Sequence, residues 1–312
     1  MTVKILVALQ SFGEYSDMPV RMLEQSGAEI VYNRKGHRLN RDEIIELAHG
    51  CQGIIAGVEP YDREVLEQLP ELKCISRSGV GTDTIDQQYA RRQGITILNT
   101  PGVVVEPVAE MTIAMIFDLL RLLTYHTAVV QSGQWNKQAG HNLSSRKIGI
   151  IGLGRIGKKV AEYIRLFHAD VMGYDLYPDH SWAELHGVRI VDLKTLITTS
   201  DVISLHVSLS SENPFRLGPS EFLTMKKGTI IINTSRGQVI DETALYENLR
   251  SGQLGGAGLD VFKNEPYDGP LRTLKNVVLT PHISTLTEES RAEMERESVE
   301  NLLNNLNLPI WR

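Results

Sequence analysis

Short apolar runs alternate with amphipathic segments along the first hundred residues of the chain. Five runs are rich in apolar and β-branched residues: KILVALQ, AEIVYN, GIIAGV, LKCISRSG and ITILNTPG. Four segments between them have helical residue choices: 19–26, 41–47, 62–68 and 85–93. Strands that alternate with helices predict a parallel sheet that is covered on both faces.

A longer apolar stretch, EPVAEMTIAMIFDLLRLL, occupies residues 106–123 and predicts a helix. Polar residues interrupt the stretch at Glu110, Thr112, Asp118 and Arg121, so it is a poor candidate for a membrane span. We expect it to form a subunit interface in a homodimer with symmetric packing. The alternative is a helix that is buried within one subunit.

A second alternating run begins at Lys147. Its predicted strands are KIGIIG, ADVMGYD, GVRIVD, DVISLHVSL, GTIIINTS, GAGLDVF and NVVLTPH. The acidic, amphipathic segment 287–305 predicts a closing helix or a pair of helices. The pattern as a whole predicts an α/β protein with two parallel-sheet domains.

Composition narrows the possible partners. The 312 residues are 42% hydrophobic and 22% charged, which suits two soluble domains. The formal net charge of -6 argues against nucleic acid or an anionic membrane as the main partner. Neither a signal peptide nor a metal-ligand pattern is predicted, and Cys51 and Cys74 are expected to be reduced core residues of a cytoplasmic protein.

The second run opens with a glycine-rich turn, Gly152-Leu-Gly154-Arg-Ile-Gly157, between an apolar strand and a predicted helix. In this context the first glycine permits a tight turn, the second lets a pyrophosphate approach the backbone, and the third lets helix and strand pack closely. N–H groups of the first helical turn, which contains Arg155 and Ile156, would face the phosphates. The alternative is a glycine-rich turn with no ligand.

The following predicted strand ends at Asp175. A carboxylate at this position accepts hydrogen bonds from an adenosine ribose and repels the 2′-phosphate of NADP. We therefore expect NAD as the cofactor.

Five ordered motifs carry a family resemblance: SRSGVGTDTID, IGLGRIG, INTSRGQVIDETAL, GLDVFKNEP and LTPHIS. With them the chain resembles the D-isomer-specific 2-hydroxyacid dehydrogenase family over nearly its whole length. Within that family it is most similar to short forms of the D-3-phosphoglycerate dehydrogenases. The resemblance implies a Rossmann-like NAD-binding domain, 101–286, inserted into a flavodoxin-like substrate domain formed by 1–100 and 287–312. It also implies a substrate cleft between the two domains.

Three residues are candidates for the chemistry. Arg236 follows an apolar strand, and its planar guanidinium suits a two-point grip on a carboxylate and polarisation of the C2 oxygen. In the family the counterparts of Glu265 and His282 form an acid–base pair. A neighbouring carboxylate favours the protonated imidazolium, which would donate a proton to the ketone oxygen during reduction. Each residue also has an alternative interpretation. Arg236 would be a surface arginine, Glu265 a solvated acid in a loop, and His282 a capping or core histidine.

Other roles are implied by the resemblance alone. Asp260 would accept a hydrogen bond from the nicotinamide carboxamide, and Thr234 and Ser235 would line the nicotinamide ribose. Val207, Ser208 and Ser284 would contribute to the remaining cofactor contacts, although the family often has proline at position 208. His206 is interpreted as a packed residue at a strand end rather than a catalyst.

The loop after the fourth predicted strand would meet the substrate. The resemblance assigns Ser78, Gly79 and Val80 to positions near the substrate carboxylate or the nicotinamide, and the glycines would let backbone N–H groups converge on an anion. Arg77 would reach a substrate phosphate or form an outward salt bridge. An ordinary glycine turn is the alternative for the whole loop.

These features predict hydride transfer between NAD and a small D-2-hydroxy acid, with 3-phosphoglycerate as the leading substrate. Reduction of glyoxylate or hydroxypyruvate is the runner-up. A non-catalytic, NAD-sensing binding protein similar to a corepressor is the alternative from another class. The segment SLSSENPFRLGPSEF departs from the family pattern at Asn213-Pro214-Phe215, in a position expected to shape the adenine pocket.

Overall fold

The apolar runs of the first hundred residues form the strands of a parallel sheet. The computed structural model describes residues 2–208 and 215–310, and Asn213 and Pro214 therefore lie outside the described residues. Within the first described range the strands are β1 (Lys4–Val7), β2 (Glu29–Tyr32), β3 (Gly53–Ala56), β4 (Cys74–Arg77) and β5 (Thr96–Asn99). They pair in parallel, as predicted, and their order is β2-β1-β3-β4-β5.

The connecting helices are α1 (Met18–Gln25), α2 (Arg41–Leu47), α3 (Arg63–Glu67) and α4 (Gln87–Arg92). Their starts follow from local chemistry. The side chains of Asn40, Asp62 and Asp86 each accept a hydrogen bond from a backbone N–H three residues further on. These caps satisfy N–H groups that have no partner within the helix.

A larger parallel sheet forms from the second run, together with two helices that precede it. In the described part of the chain these elements are α5 (Val105–Arg121), α6 (Leu123–Gln131), β6 (Lys147–Ile151), α7 (Arg155–Leu166), β7 (Asp170–Tyr174), α8 (His180–Leu185), β8 (Arg189–Ile190), α9 (Leu193–Thr199), β9 (Val202–Leu205), α10 (Pro219–Thr224), β10 (Thr229–Asn233), α11 (Glu242–Ser251), β11 (Leu254–Leu259) and β12 (Val277–Leu279). Short 3₁₀ helices form at Leu143–Ser145, Gly237–Val239 and Pro270–Thr273.

The strand order of this sheet is β12-β11-β10-β9-β6-β7-β8. Strands are added outward from β6 in both directions, which is the doubly wound arrangement that creates a crevice where the order reverses. The predicted strand GVRIVD is reduced to the two residues of β8, which pairs only with β7 at the sheet edge.

The long apolar stretch forms α5, as predicted, and only its last residue, Leu123, belongs to α6. The left-handed backbone of Leu122, with φ of 57°, ends α5 and begins α6 at an angle of 60°. No single helix among the described residues is long and apolar enough to cross a membrane. The bent pair of α5 and α6 together has the length and composition of a membrane span, and nothing else supports that assignment. Met115, Ile116 and Leu120 of α5 are buried in a core that they share with β6 and α7.

The chain finally returns to its first unit through α12 (Glu288–Asn305), a single helix. Val299, Leu302 and Leu303 of α12 are buried against Ile5 and Ile55 of the first sheet. Two compact units result: one joins the chain up to Val104 with the chain from Leu286, and the other runs from Val105 to Thr285. We call them the first and second units.

Candidate active site

The glycine-rich turn after β6 has the geometry that a pyrophosphate requires. Gly152 has φ of 93°, and a Cβ there would lie 2.5 Å from the carbonyl oxygen of His206. A Cβ on Gly157 would lie 1.9 Å from the carbonyl oxygen of Gly152. By contrast, a Cβ on Gly154 would have no atom within 4 Å. The turn is thus tightly packed behind Gly154 and open in front of it, where a phosphate could approach the N-terminus of α7.

Asp175 follows β7 and is held by the same turn. Its carboxylate accepts hydrogen bonds from the backbone N–H of Leu153 at 2.7 Å and of Tyr177 at 2.9 Å. A carboxylate has about four acceptor positions, so oxygen lone pairs remain for ribose hydroxyls. The residues present therefore fit the adenosine half of NAD.

The three candidate catalytic residues follow the carboxyl ends of three neighbouring strands of the second sheet. Arg236 follows β10, Glu265 follows β11 and His282 follows β12. Since parallel strands place their carboxyl ends on one edge of the sheet, residues distant in sequence are brought to the same edge.

Asn233, the last residue of β10, organises the turn that carries Arg236. Its buried side chain accepts hydrogen bonds from the N–H and hydroxyl of Ser235 and donates one to the carbonyl oxygen of Arg236 at 2.9 Å. Sequence reasoning missed this residue. The available signal was an asparagine at the start of a turn, where its side chain can replace backbone hydrogen bonds.

Gly237 brings the Arg236 turn against the segment that carries Glu265. A Cβ at Gly237 would lie 1.9 Å from the carbonyl carbon of Phe262 and 2.3 Å from the backbone nitrogen of Lys263. Both obstacles are backbone atoms, so no rotamer change could make room. Only glycine permits this approach of the β10 and β11 ends.

Glu265 and His282 are in direct contact. The Nδ1–H of His282 donates to Oε2 of Glu265 at 2.9 Å, and Oε1 of Glu265 accepts from the backbone N–H of Phe262 at 3.0 Å. The carboxylate is thus anchored on one side and orients the imidazole on the other, which leaves Nε2 for a reacting group. His282 has φ of 57°, a conformation that costs energy for a residue with a Cβ and is found most often at functional sites.

Asp260 secures the chain segment around His282. Its fully buried carboxylate accepts hydrogen bonds from the hydroxyl of Thr280 at 2.6 Å, from the N–H of Ile283 at 2.8 Å, and from both the N–H and the hydroxyl of Ser284. These donors occupy its acceptor positions. Asp260 and Ser284 thus both support the segment that carries His282, and the bond of Asp260 to a nicotinamide carboxamide stays a prediction.

The remaining predicted cofactor residues lie at the same edge of the sheet. The hydroxyl of Thr234 is 3.0 Å from that of Thr112 on α5, and Arg155 and Ile156 begin α7. Val207 and Ser208 follow β9. His206 bonds the hydroxyl of Ser204 at 2.9 Å, and desolvation lowers its pKa to about 3, as expected for a packed neutral histidine.

In the first unit, the predicted substrate loop is already tied to its neighbours. The N–H of Ser78 donates to the carbonyl oxygen of Ala56 at 2.9 Å, and the N–H of Gly79 donates to the hydroxyl of Thr100 at 2.9 Å. These two N–H groups are therefore not available to converge on an anion, which corrects that expectation. Val80 is exposed, and the buried hydroxyl of Ser78 has no hydrogen-bond partner among the described residues.

No group of three or more potential ligand side chains within residues 2–208 and 215–310 could hold a metal ion. Both cysteines are buried and unpaired, and burial raises the pKa of Cys51 to about 11 and that of Cys74 to about 12. Their thiols are therefore poorly suited to act as nucleophiles.

Comparison with known proteins identifies the second unit. Residues 113–284 match the NAD-binding domain model of the D-isomer specific 2-hydroxyacid dehydrogenases. The match covers more than half of the chain. The protein belongs to this family. Its NAD cofactor supplies or accepts the hydride in the family's chemistry, and the Gly154 turn and Asp175 are the residues that would hold it.

Two curated dehydrogenases illustrate the range of relatives. The glyoxylate reductase of Thermococcus litoralis is 40% identical over 84% of this chain and 83% of its own length. The D-3-phosphoglycerate dehydrogenase of Methanocaldococcus jannaschii is 39% identical over 93% of this chain, but the match spans only 58% of that enzyme.

Among solved structures, a D-lactate dehydrogenase from Aquifex aeolicus, complexed with NAD and lactic acid, superposes with a TM-score of 0.85. It is 28% identical, and the match covers 97% of this chain and 95% of that one. The fold is thus shared along nearly the whole chain.

Proposed function

We propose that the protein transfers hydride between NAD and C2 of a small 2-oxo or 2-hydroxy acid. The observation that carries the proposal is the 2.9 Å contact between Glu265 and His282 on an NAD-binding sheet. This contact fixes the tautomer and the direction of an imidazole, as a proton-transfer residue needs.

In the reductive direction, protonated His282 donates its Nε2 proton to the C2 oxygen, and in the oxidative direction neutral His282 accepts that proton. Glu265 stabilises the protonated ring and holds its plane. The guanidinium of Arg236 binds the substrate carboxylate through two parallel hydrogen bonds and polarises the C2 oxygen.

We propose glyoxylate or hydroxypyruvate as the physiological substrate class, ahead of 3-phosphoglycerate. Glyoxylate reductases from Korarchaeum cryptofilum and Thermococcus litoralis are 37% and 40% identical to this chain, and a hydroxypyruvate reductase from Thermotoga maritima is 35% identical. These similarities support an unphosphorylated 2-oxo acid as the substrate.

The test is turnover with NADH against glyoxylate, hydroxypyruvate, pyruvate and 3-phosphohydroxypyruvate, with the matching 2-hydroxy acids and NAD in the reverse direction. We expect the highest kcat/KM with an unphosphorylated 2-oxo acid. Absence of turnover with every acid would overturn the proposed activity, and a preference for the phosphorylated acid would overturn the substrate assignment alone.

We further propose that NAD is preferred over NADP, because the Asp175 carboxylate would repel a 2′-phosphate. The ratio of kcat/KM for NADH to that for NADPH measures this preference. A ratio below one would contradict the assignment of Asp175.

We also propose a homodimer that uses the surface between α5 and α7. A groove of about 370 Å³ on this surface is lined by Glu110, Ile113, Ala114, Tyr163, Leu166 and Phe167. Leu166 is 73% exposed, although it is apolar. Sedimentation should find a dimer for the native chain and a monomer for Leu166→Glu. Leu223→Glu, at an equally exposed leucine on α10, should leave the dimer intact.

A further inference from the structure

A small cavity lies at the amino-terminal edge of the second sheet. Its volume is about 130 Å³, and its polar lining includes His141, Arg146, Asp201, Lys226 and Lys227. Arg146 directly precedes β6, Asp201 directly precedes β9, and the two lysines come shortly before β10. Because these three strands are parallel neighbours, their starts meet at one edge of the sheet. The cavity is therefore formed within the second unit.

The proposed reaction belongs to the other edge of this sheet. The cofactor turn follows the carboxyl end of β6, and Arg236 and His282 follow those of β10 and β12. A strand rises about 3.3 Å per residue, so Arg146 and Gly152, which flank β6, lie about 20 Å apart. The cavity is thus separate from the cofactor turn and from the candidate catalytic residues.

Arg146 brings an unsatisfied hydrogen-bond donor to the cavity. Its Nε–H is buried and has no hydrogen-bond partner among the described residues. Buried donors in proteins are nearly always paired with an acceptor from the chain, from water or from a ligand. This N–H group therefore indicates a position for an acceptor atom.

Positive charge exceeds negative charge around the cavity. Asp201 is the only carboxylate among the described residues that line it, against the cations Arg146, Lys226 and Lys227. The Asp201 carboxylate accepts from the N–H of Lys147 at 2.8 Å and from Nζ of Lys226 at 2.9 Å. Burial raises the pKa of Asp201, but these hydrogen bonds outweigh burial and lower it, so the carboxylate stays ionised. Asp201 and Lys226 balance each other, and the charges of Arg146 and Lys227 remain.

A small oxyanion suits both the unsatisfied donor and the excess charge. A water molecule could accept from the Arg146 Nε–H, but it would leave the charge unbalanced. A phosphate group offers several acceptor oxygens and up to two negative charges, and it is bound by guanidinium groups through directed hydrogen bonds and by lysine as a point charge. The volume is below the roughly 300 Å³ of sites for larger ligands. His141 and Lys227 are exposed, so an anion can enter from solvent.

We propose that the cavity of Arg146, Lys226 and Lys227 binds a phosphate group, either as inorganic phosphate or as a small phosphate monoester. The phosphate accepts from the Arg146 Nε–H and is attracted by the Lys227 ammonium, while Lys226 keeps its bond to Asp201. This inference holds whichever acid the enzyme reduces, because none of these residues takes part in the proposed reaction.

The test is calorimetric titration of the native protein, saturated with NAD, with inorganic phosphate and separately with glycerol 3-phosphate at constant ionic strength. Saturation with NAD keeps phosphate away from the Gly154 turn, which would otherwise bind it. We expect a Kd of about 1 mM or lower for at least one of the two ligands. Tighter binding of inorganic phosphate identifies the free anion as the ligand, and tighter binding of glycerol 3-phosphate identifies a phosphate monoester.

Three variants locate the bound phosphate. Arg146→Gln removes the buried donor together with its charge, so we expect the Kd to rise by about tenfold. Lys227→Gln removes an exposed charge, and the Kd should rise by about threefold. Arg189→Gln is the matched control, since Arg189 begins β8 at the same edge of the sheet but pairs with Asp170 at 3.1 Å. Its Kd should remain that of the native protein.

A weaker Kd with both ligands in the native protein would overturn the inference. Native affinity in Arg146→Gln would also overturn it, and if that variant does not fold, the exposed Lys227→Gln decides in the same way. Arg236→Gln tests the other edge of the sheet, where an arginine could also attract phosphate. We expect it to bind phosphate with the native Kd, whereas loss of binding would place the anion at the catalytic edge and overturn the inference.

Discussion

Similar sequences, with an arginine and a glycine, lie at the carboxyl end of one strand in each sheet. The glycines in these two sequences have different roles. Each sequence has an arginine at or just beyond the end of a buried parallel strand and a glycine within two residues of it. Arg77 is the last residue of β4 and precedes Gly79 by two residues, and Arg236-Gly237 follows β10. Gly237 makes its closest approach to the backbone of Phe262, whereas Gly79 is closest to the Arg77 guanidinium. One glycine thus joins two segments, and the other makes room for a cation.

The carboxylates of the two units also differ. In the second unit, the Glu265 carboxylate accepts a hydrogen bond from His282, and the Asp260 carboxylate accepts hydrogen bonds from the segment 280–284. In the first unit, the buried Glu59 carboxylate accepts hydrogen bonds from the Gly57 N–H and the Tyr61 hydroxyl, and burial raises its pKa. The carboxylates of the second unit thus anchor the segment that carries His282, whereas Glu59 holds the backbone of its own connection.

The largest expected effect is that of Arg236→Lys. Lysine keeps the charge but cannot form two parallel hydrogen bonds with a carboxylate, so we expect kcat/KM to fall by about a thousandfold. Steady-state kinetics with the best 2-oxo acid measures the loss. Arg216→Lys, at an exposed arginine that pairs with Asp241, is the control and should retain near-native activity. Similar activity in the two variants would remove Arg236 from the site.

Gly237→Ala should have the largest effect on stability. Its methyl group would overlap the backbone of Phe262, so we expect the free energy of unfolding to fall by about 3 kcal/mol. Gly154→Ala, with no atom near the new methyl group, should stay within about 0.5 kcal/mol of the native value. Urea unfolding of the three proteins without NAD checks this difference, and equal losses would contradict the close approach of the β10 and β11 ends.

Glu265→Gln should slow catalysis. The Glu265 carboxylate is anchored by the N–H of Phe262 and orients the His282 imidazole, and a neutral amide would hold the ring less firmly. We therefore expect kcat with the best 2-oxo acid to fall by about tenfold.

The matched control for this change is Glu242→Gln, since Glu242 accepts a hydrogen bond from the N–H of Lys263, three residues after Asp260. Its kcat should match that of the native enzyme. A native kcat in Glu265→Gln as well would show that Glu265 does not orient His282.

The smallest expected effect is that of His206→Gln on the pH dependence of stability. The pKa of His206 is lowered from 6.5 to about 3 in the folded protein, so between these values the unfolded chain binds a proton that the folded protein does not. Stability therefore falls as pH falls through that window. Between about pH 7 and pH 5 we expect the free energy of unfolding to fall by about 2 kcal/mol less in His206→Gln than in the native protein. His186→Gln, at a partly exposed histidine, should behave like the native protein.

Local pattern predicted much of the fold. Apolar runs identified both parallel sheets, and the spacing of Gly152, Gly154 and Gly157 identified the cofactor turn. Each of these features is formed by residues that are close in sequence, so it can be recognised within a single stretch of the chain. The helix α6, which begins at Leu123 directly after the left-handed Leu122, was not predicted, because a left-handed leucine has no distinctive local pattern.

The sequence alone determined the family, the parallel-sheet architecture, the cofactor turn and the identities of Arg236, Glu265 and His282 as candidates. Only the tertiary structure decided which groups these residues meet: Asn233 holds the Arg236 turn, Asp260 anchors the His282 segment, and Glu265 orients His282. The physical reason is that hydrogen bonding and charge compensation act between atoms a few ångströms apart. Residues separated by many positions reach such distances only when neighbouring strands end at the same edge of a sheet.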